Sequence, residues 1–309
     1  MSTTQATNAI LEVVHPGLCT LVVDQGRPRH RNLGVPVSGA ADRAALAIGN
    51  TLVGNEPDAA ALEVALAGPT LIADAELACV LYGAPFDLAS DRRPLGAGKT
   101  FTLHPGEVLR IGATAYDARA YFCIRGGLRT PLVLDSRSSL QPLRAGATLP
   151  CLSGTIHPHF IPLEAARTAP AVLRVLDGAQ AGWFRAEDFY SATYTVTPAS
   201  NRMGLRLNGP PLPMPPGEML SEPVCPGTVQ VARDGQCIVL GVDGQTIGGY
   251  PKIAHVIDAD LDLLGQLRPG ERVVFRQTTL TEAEKLYREK QTRLREWLKR
   301  LRAADASVS

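Results

Sequence analysis

The sequence has few aromatic residues and almost no net charge. Aromatic side chains make up 5% of its 309 residues, and the formal net charge is +1 at pH 7. A protein that binds nucleic acid usually combines a positive surface with aromatic rings on which bases stack. We therefore expect no nucleic-acid partner.

Long apolar runs and an export signal are also lacking. No run approaches the roughly 18 apolar residues of a membrane span, and the opening MSTTQATNAILEVVHPGLCT has no basic segment followed by an apolar one. We expect a cytoplasmic protein without membrane contact. The six cysteines form no CxxC pair, which favours reduced, mostly buried thiols. His157 and His159 have no third ligand at a suitable spacing, so we predict no metal site.

The common phosphate-binding loops are absent as well. PLGAGKT, which ends at Thr100, resembles the end of a P-loop, but Arg93 stands where that motif has its first glycine. The following FTLHPGEVLRI is typical of a strand, whereas a P-loop opens a helix. Neither GxGxxG nor GxSxG occurs. A nucleotide would have to be bound in another way.

The sequence does contain many short extended runs between Gly and Pro residues, such as CTLVVD, LACVLYG, AVLRVLDG and RVVFRQT. This pattern predicts a mainly β protein with a few helices. The proline-containing segment HPHFIPLEAARTAPA separates two series of such runs. We therefore predict an N-terminal β-rich lobe over residues 1–165 and a C-terminal β-rich lobe over residues 166–309.

Three helical patterns interrupt the strands. SGAADRAALAIGNTLVGN predicts a helix near 39–53, with Ser38 as its N-cap and Gly54 at its end. AGWFRAEDFY predicts a short helix. The motif TEAE, beginning at Thr281, matches a capping box at the start of an amphipathic C-terminal helix over 281–302.

Polar and glycine-rich clusters lie at the ends of several predicted strands. Loops of this composition on a rigid sheet commonly carry binding sites, although each one alone can be only a turn. The clusters are DQGR (24–27), GVPVSGAAD (34–42), LDSRSS (134–139), SNRMGLRL (200–207), MLSEPVCPGTVQ (219–230) and DGQTIGGYPK (243–252).

The side chains of these clusters are candidates for binding an anion and an amide group. Arginine offers paired donors to carboxylate or phosphate, and an amide such as Gln245 can both donate and accept. We predict Asp243, Gln245 and Arg202 as catalytic, with Asp24 and Glu222 as alternative acids. The predicted substrate-binding residues are Arg27, Ser38, Arg137, Asn201, Arg206, Thr246 and Tyr250, and the glycines that shape the loops are Gly26, Gly39, Gly204, Gly248 and Gly249.

Two expectations about this site depend on local conformation. Gly248 and Gly249 should allow a tight backbone fold that turns Gln245 towards a small amide ligand. We expect Arg202 to be exposed in the site, so that Arg202→Ala abolishes turnover with little loss of melting temperature.

In order and wording, several segments resemble successive blocks of the allophanate hydrolase subunit 2 family. The resemblance covers residues 24–275 and rests on DQGR, GVPVSGAADRAALAIGNTLVGN, ALEVALAGP, SNRMGLRLNG and GQTIGGYPKIAHVIDADL. It implies a cyclophilin-like β-barrel architecture in two β-rich lobes. It also implies two protein partners, a sister subunit of the allophanate hydrolase subunit 1, or KipI, type and a LamB/YcsF-type subunit.

The resemblance implies a component of an ATP-dependent 5-oxoprolinase, similar to the C subunit of that enzyme. Such an enzyme hydrolyses the lactam of 5-oxo-L-proline to L-glutamate, with ATP and Mg²⁺ as cofactors shared among the subunits, and the chain alone should be inactive. QPLRAGATLPC, after SRSS, is shorter than the family pattern, which leaves the substrate open.

Two alternatives stay open. One is biotin-dependent carboxyl transfer to an amide substrate, as in urea carboxylase; the chain has no biotin-attachment sequence, so a separate carrier would be needed. The other is a non-catalytic regulator that antagonises a kinase-inhibitor-like partner.

Overall fold

Two units divide the chain, and neither is continuous in sequence. The structure, a computed structural model, describes residues 7–214 and 219–306. The first unit comprises Met1–Gly26, Arg43–Ala165 and Leu294–Ser309, and the second comprises Arg27–Asp42 and Ala166–Arg293. One junction lies between Ala165 and Ala166, whereas two continuous lobes were expected.

The first unit contains two five-stranded antiparallel sheets. Their orders are β10-β1-β4-β8-β6 and β2-β3-β9-β5-β7. The strands are β1 (Asn8–His15), β2 (Cys19–Val23), β3 (Ala61–Ala65), β4 (Thr70–Ala73), β5 (Leu77–Gly83), β6 (Phe86–Ser90), β7 (Phe101–Leu103), β8 (Val108–Thr114), β9 (Arg119–Ile124) and β10 (Thr148–Leu152).

Both sheets contribute side chains to one core. Strand β1 buries every second residue, as a strand with one face on a core requires, and supplies Leu11 and Val13. Strands β5 and β9 are buried on both faces because helix α1 (Arg43–Leu52) packs on them. Gly49 permits this packing, since a Cβ there would lie 2.9 Å from the Cys123 sulfur.

The second unit is built on a closed seven-stranded barrel with the order β11-β18-β15-β16-β13-β12-β19. Its pairs are antiparallel except for β11 and β19, which run parallel. The strands of this unit, including the separate pair β14 and β17, are β11 (Ala171–Asp177), β12 (Tyr194–Val196), β13 (Gly204–Asn208), β14 (Glu222–Pro223), β15 (Thr228–Val231), β16 (Cys237–Leu240), β17 (Ile247–Gly248), β18 (Lys252–Val256) and β19 (Arg272–Gln277).

Aliphatic and aromatic residues fill the barrel. Phe275 on β19 stacks on Phe189 with ring centroids 4.7 Å apart, and its ring meets that of Tyr194 on edge at 5.4 Å. All three rings are nearly or fully buried. Burial of such large apolar surfaces is the main stabilising contribution to a core of this kind. The mainly β architecture expected from the sequence is confirmed.

The α-helices of the second unit are α2 (Ala186–Tyr190), α3 (Leu261–Gln266) and α4 (Leu280–Ala306). The part of α4 from Leu294 onwards belongs to the first unit. The second unit also contains the short 3-10 segments Pro28–Leu33, Ala181–Trp183 and Asp258–Asp260. The C-terminal helix is thus confirmed. Within the part of the chain that the structure describes, no helix is long and apolar enough to cross a membrane.

Both predicted N-terminal helix caps are wrong. Helix α1 begins at Arg43, and Ser38 lies in a left-handed turn well before it, with φ of +57°. The residue that caps α4 is Thr279, whose hydroxyl accepts a 3.3 Å hydrogen bond from the Glu282 N–H, so Thr281 lies inside the helix. Gly54 does follow α1 in a left-handed conformation, as predicted.

Candidate functional site

A buried ion pair joins two of the predicted catalytic residues in the second unit. The Arg202 Nε donates to Asp243 Oδ2 at 2.6 Å, and its Nη2 donates to Asp243 Oδ1 at 3.0 Å. The side chains are only 8% and 9% exposed. This two-point geometry matches the planar fork of arginine to both oxygens of one carboxylate. The expectation that Arg202 is exposed is therefore wrong.

Two tight turns present this pair. In turn 201–204 the Gly204 N–H donates to the Asn201 carbonyl at 3.1 Å, and in turn 241–244 the Gly244 N–H donates to the Gly241 carbonyl at 3.0 Å. The turns also bond to each other, because the Asp243 N–H donates to the Arg202 carbonyl at 3.1 Å. A Cβ at Gly241 would lie 2.2 Å from that carbonyl oxygen, so only glycine fits there.

A third turn, formed by Ser38 and Gly39, is hydrogen-bonded to both of these turns. The Ser38 N–H donates to the Val242 carbonyl at 2.8 Å, and Arg202 Nη2 donates to the Gly39 carbonyl at 2.7 Å. Both residues of this turn have positive φ, +57° and +80°. We call the three turns, 38–39, 201–204 and 241–244, the three-turn site.

The Ser38 hydroxyl is the unusual group of the three-turn site. Ser38 is fully buried, and its Oγ has no hydrogen-bond partner among the described residues. A buried hydroxyl without a partner costs roughly 1–3 kcal/mol, and a non-glycine residue in the left-handed region adds a further cost. Strain and an unpaired polar atom at one residue are features that cluster at functional sites.

The segment after Asp243 lies beside this site. Gln245 is exposed, and a Cβ at Gly248 would lie 2.8 Å from its Nε2. Thr246 is buried and accepts a 3.0 Å backbone hydrogen bond from Val224. Tyr250 is 36% exposed. Thus the side chains of Gln245 and Tyr250 are accessible to a ligand. Thr246 is buried, and the hydrogen bond from Val224 fixes its backbone.

Gly248 and Gly249 were expected to allow a tight backbone fold, but their surroundings differ from this expectation. Neither Gly248 nor Gly249 has a positive φ. A Cβ at Gly248 would lie 2.5 Å from the Gln230 Nε2 and 2.8 Å from the Gln245 Nε2, which are both at the ends of side chains that can move. A Cβ at Gly249 would have its nearest neighbour at 3.4 Å, which is ordinary contact. The close approach to a neighbouring backbone lies instead at Gly241, beside the Arg202 carbonyl.

Three other predicted binding residues of this unit lie in supporting positions. The Asn201 side chain accepts a 2.9 Å hydrogen bond from the Met203 N–H and so closes its own turn. Arg206 is exposed on β13 between the buried Leu205 and Leu207, and so points away from the barrel core. Arg27 is buried, and its N–H donates to Val37 at 2.6 Å.

Asp24 and Arg137 belong to the first unit. Asp24 accepts hydrogen bonds from the hydroxyls of Ser136 and Ser138 at 2.6 and 2.5 Å, from the Gly26 N–H at 2.8 Å and from the Arg137 N–H at 2.6 Å. The Arg137 side chain donates to the Thr130 carbonyl. Asp24 thus ties together two loops of its own unit, which is a structural task.

One polar group of the second unit is not identified by the sequence patterns above. The Lys252 side chain is 13% exposed and pairs with Glu222, which also accepts a 3.3 Å hydrogen bond from Gln180. Burial lowers the pKa of Lys252. Its position at the end of DGQTIGGYPK is the signal in the sequence. Glu222 was predicted as an alternative acid, but its pairing with Lys252 and its contact with Gln180 join distant segments and are not visible in the sequence.

The three-turn site does not fit a Mg²⁺–nucleotide complex. Both oxygens of Asp243 accept hydrogen bonds from Arg202, so this carboxylate is not open to a metal ion. Over residues 7–214 and 219–306, no group of three or more His, Cys, Asp and Glu side chains is placed to hold a metal. PLGAGKT leads into strand β7 and not into a helix.

These features define a mainly β protein with a closed barrel and a polar site on loops of its second unit. A family model described as the carboxyltransferase domain, subdomain A and B, matches residues 33–277. The chain therefore belongs to the carboxyltransferase domain family. The predicted resemblance to the allophanate hydrolase subunit 2 group, whose members include the C subunits of 5-oxoprolinases, is confirmed.

Individual relatives give the extent of the similarity. The chain is 35% identical over 281 residues to the C subunit of the Haemophilus influenzae 5-oxoprolinase, covering 86% of this chain and 91% of that protein. The solved structure of TTHA0988 matches with a TM-score of 0.78 and 34% identity, over 87% of this chain and 55% of that one. The chain thus spans about half the length of that protein.

A second solved structure that matches this chain belongs to a much longer protein. K. lactis urea amidolyase matches with a TM-score of 0.84 and 26% identity, over 92% of this chain but only 20% of that one. The chain therefore corresponds to one segment of a much longer protein in this case.

Proposed function

We propose that this chain is a component of a 5-oxoprolinase that converts 5-oxo-L-proline to L-glutamate, in the role of the C subunit. The observation that carries the proposal is the extent of the match: the similarity covers 91% of the C subunit of the H. influenzae 5-oxoprolinase. In contrast, the chain corresponds to 20% of the urea amidolyase chain. A nearly full-length match to that subunit supports a shared role.

The three-turn site and the neighbouring Gln245 supply groups that suit a lactam. A lactam presents one carbonyl oxygen and one N–H, and its opening places negative charge on the oxygen. The buried Ser38 hydroxyl has no partner among the residues that the structure describes and can donate to that oxygen. The exposed Gln245 amide can pair with the N–H and C=O of a ligand.

Arg202 acts in this proposal as a positioning residue. Its guanidinium binds Asp243 and the Gly39 carbonyl, and so holds the turn that carries Ser38 against turn 241–244. The ion pair therefore acts on the reaction through the position of Ser38.

The proposal includes partner subunits of the KipI and LamB/YcsF types, with ATP and Mg²⁺ shared among them. ATP can activate an amide by phosphorylating its oxygen. Because the three-turn site does not fit a Mg²⁺–nucleotide complex, we assign nucleotide binding to the assembled subunits. The chain alone is then inactive.

Reconstitution tests this function. We expect the chain, mixed with purified subunits of both partner types, to hydrolyse ATP in a manner that depends on 5-oxo-L-proline. Omitting this chain should remove the dependence. A complete mixture whose ATP hydrolysis does not respond to 5-oxo-L-proline would reject the proposal.

Carboxyl transfer is the second candidate function, and the family description and the urea amidolyase match support it. It requires a separate biotin carrier protein. The test is transfer of labelled carboxyl from a carboxylated biotin carrier to an amide, with and without this chain. Transfer that depends on the chain would favour this function over lactam hydrolysis.

A further inference from the structure

Cys225 stands at the start of a tight turn outside the three-turn site. The Thr228 N–H donates to the Cys225 carbonyl at 3.0 Å, and the two central residues are Pro226 and Gly227. Gly227 has φ of +88°, the conformation that this kind of turn requires at its third position. The turn fixes the direction of the Cys225 side chain relative to strand β15.

A histidine and a threonine contact the Cys225 sulfur. The Sγ lies 3.9 Å from both ring nitrogens of His255 and 3.7 Å from Thr228 Oγ1, which is itself 3.4 Å from His255 Nδ1. Thr228 and His255 are direct partners in the β15–β18 pairing. The strand register therefore holds the base beside the thiol.

The charges around this group favour a thiolate. Hydrogen bonding to His255 is the main cause that lowers the pKa of Cys225, and the nearby Arg31 also lowers it, while burial opposes the change. Burial of the ring opposes protonation of His255, but the contact with Cys225 and the charge of Asp258 together raise its pKa. The lowered thiol pKa and the raised imidazole pKa both shift the pair towards a thiolate and an imidazolium.

Arg31 adds an independent indication. Its Nη2 donates to the carbonyl of Val224, the neighbour of Cys225, while its Nη1 is buried and has no hydrogen-bond partner in the described part of the chain. A guanidinium nitrogen without a partner is a binding position for an anion. The positive charge of Arg31 is near enough to Cys225 to lower the thiol pKa.

The other cysteines have different surroundings. Cys79, Cys123, Cys151 and Cys237 are buried, as expected from the sequence, and burial raises the pKa of each thiol, to about 12 for Cys151 and Cys237. Cys19 is partly exposed like Cys225. These five thiols are internal controls for the behaviour of Cys225.

We propose that Cys225 and His255 form a nucleophilic thiol site that reacts with small hydroperoxides. The Cys225 thiolate attacks the terminal oxygen of the hydroperoxide, the O–O bond breaks, and sulfur becomes a sulfenic acid. Sulfur is oxidised by two electrons and the peroxide is reduced to an alkoxide or hydroxide, which takes the proton from the His255 imidazolium. The products are Cys225–SOH, an alcohol or water, and neutral His255. This site is independent of the proposed 5-oxoprolinase role.

The test follows each cysteine of the full chain by mass spectrometry. Iodoacetamide labelling rates are measured from pH 5 to 9, and sulfenic acid is trapped with dimedone after addition of hydrogen peroxide. We expect Cys225 to be labelled at least about tenfold faster than Cys19 at pH 6.5, because its rate falls only as the pH drops through a lowered thiol pKa. Dimedone should mark Cys225 first.

His255→Gln removes the base while keeping a polar side chain of similar length. In this variant we expect the Cys225 labelling rate to rise with pH like that of Cys19. The proposal is overturned if wild-type Cys225 reacts no faster than Cys19 at pH 6.5, or if a folded His255→Gln protein keeps the wild-type profile. The wild-type profile decides the matter even if the variant does not fold.

Discussion

At the scale of single residues, Ser38 combines two costs that a structural residue would avoid. A left-handed φ costs a non-glycine residue about 1–2 kcal/mol, whereas glycine adopts it freely. Glycine in turn lowers the free energy of unfolding by about 0.4–1 kcal/mol, because it gives the unfolded chain more conformational freedom. Removing the unpaired hydroxyl adds to the gain. We therefore predict that Ser38→Gly raises the free energy of unfolding by about 1 kcal/mol, measured by urea denaturation.

Ser38→Ala is the matched control for this prediction. It removes the hydroxyl but keeps a side chain in the left-handed region, so its gain should be smaller than that of Ser38→Gly. If both variants are less stable than the wild type, the hydroxyl has a structural partner and Ser38 is not held ready for a ligand.

The buried pair of Arg202 and Asp243 gives a second prediction at this scale. Removal of one partner leaves a buried charge without compensation, which typically costs about 3–5 kcal/mol. We predict a loss of this size for Arg202→Ala, in place of the small effect expected from the sequence. The exposed Arg206 is the control, and Arg206→Ala should change stability by less than about 0.5 kcal/mol.

A double-mutant cycle separates the pair from other contacts of Arg202. Asp243→Ala alone should also be strongly destabilising, and the double variant should lose less than the sum of the single losses. Additive losses, or an Arg202→Ala melting temperature equal to that of the wild type, would contradict the buried pair.

At the scale of elements, the contact between turns 201–204 and 241–244 depends on the absence of a side chain at Gly241. A Cβ there would overlap the Arg202 carbonyl, which is backbone and cannot rotate away. We predict that Gly241→Ala lowers the free energy of unfolding by about 2 kcal/mol, within the usual range for overpacking. Thermal and urea denaturation measure this loss.

Gly249→Ala provides the comparison within the same segment. Its Cβ would meet only ordinary contacts, so a change below about 0.5 kcal/mol is expected. Equal losses at the two positions would show that the segment tolerates no side chain anywhere, and the specific contact at Gly241 would then not explain the glycine.

Strands were the most predictable elements of this protein. Runs such as AVLRVLDG and RVVFRQT became β11 and β19 because alternating burial is a local pattern. Their parallel pairing, which helps to close the barrel, was not predictable because it joins segments far apart in the chain. For the same reason Glu222–Pro223 and Ile247–Gly248 were not recognised as a strand pair.

The candidate site was predictable in its residue types but not in its geometry. Arg202 and Asp243 were named from the chemistry of their side chains, yet their pairing across 41 residues of sequence was not visible. Ser38 fits the local signature of a helix cap, but the hydrogen bond from its N–H to the distant Val242 holds it in a turn instead. Long-range contacts therefore overrode the local preference.

At the scale of the whole molecule, the chain consists of two discontinuous units. The family model matches residues 33–277, which include parts of both units. The three-turn site belongs to the second unit and contains the buried Ser38 hydroxyl, which has no partner among the described residues, and the exposed Gln245 follows turn 241–244 in the chain. The site does not fit a nucleotide complex. In the function that we propose, ATP-dependent hydrolysis of 5-oxo-L-proline therefore requires other subunits. This requirement agrees with the similarity of the chain to the C subunit of the H. influenzae 5-oxoprolinase.

The central claim is that Ser38 of the three-turn site serves the opening of a lactam. The most direct measurement is the rate of L-glutamate release from 5-oxo-L-proline by the reconstituted subunits, with the wild-type chain or with Ser38→Gly. We predict that the variant, although at least as stable, releases glutamate at least about tenfold more slowly, a loss of about 1.4 kcal/mol in the barrier. Equal rates with equally folded chains would contradict the claim.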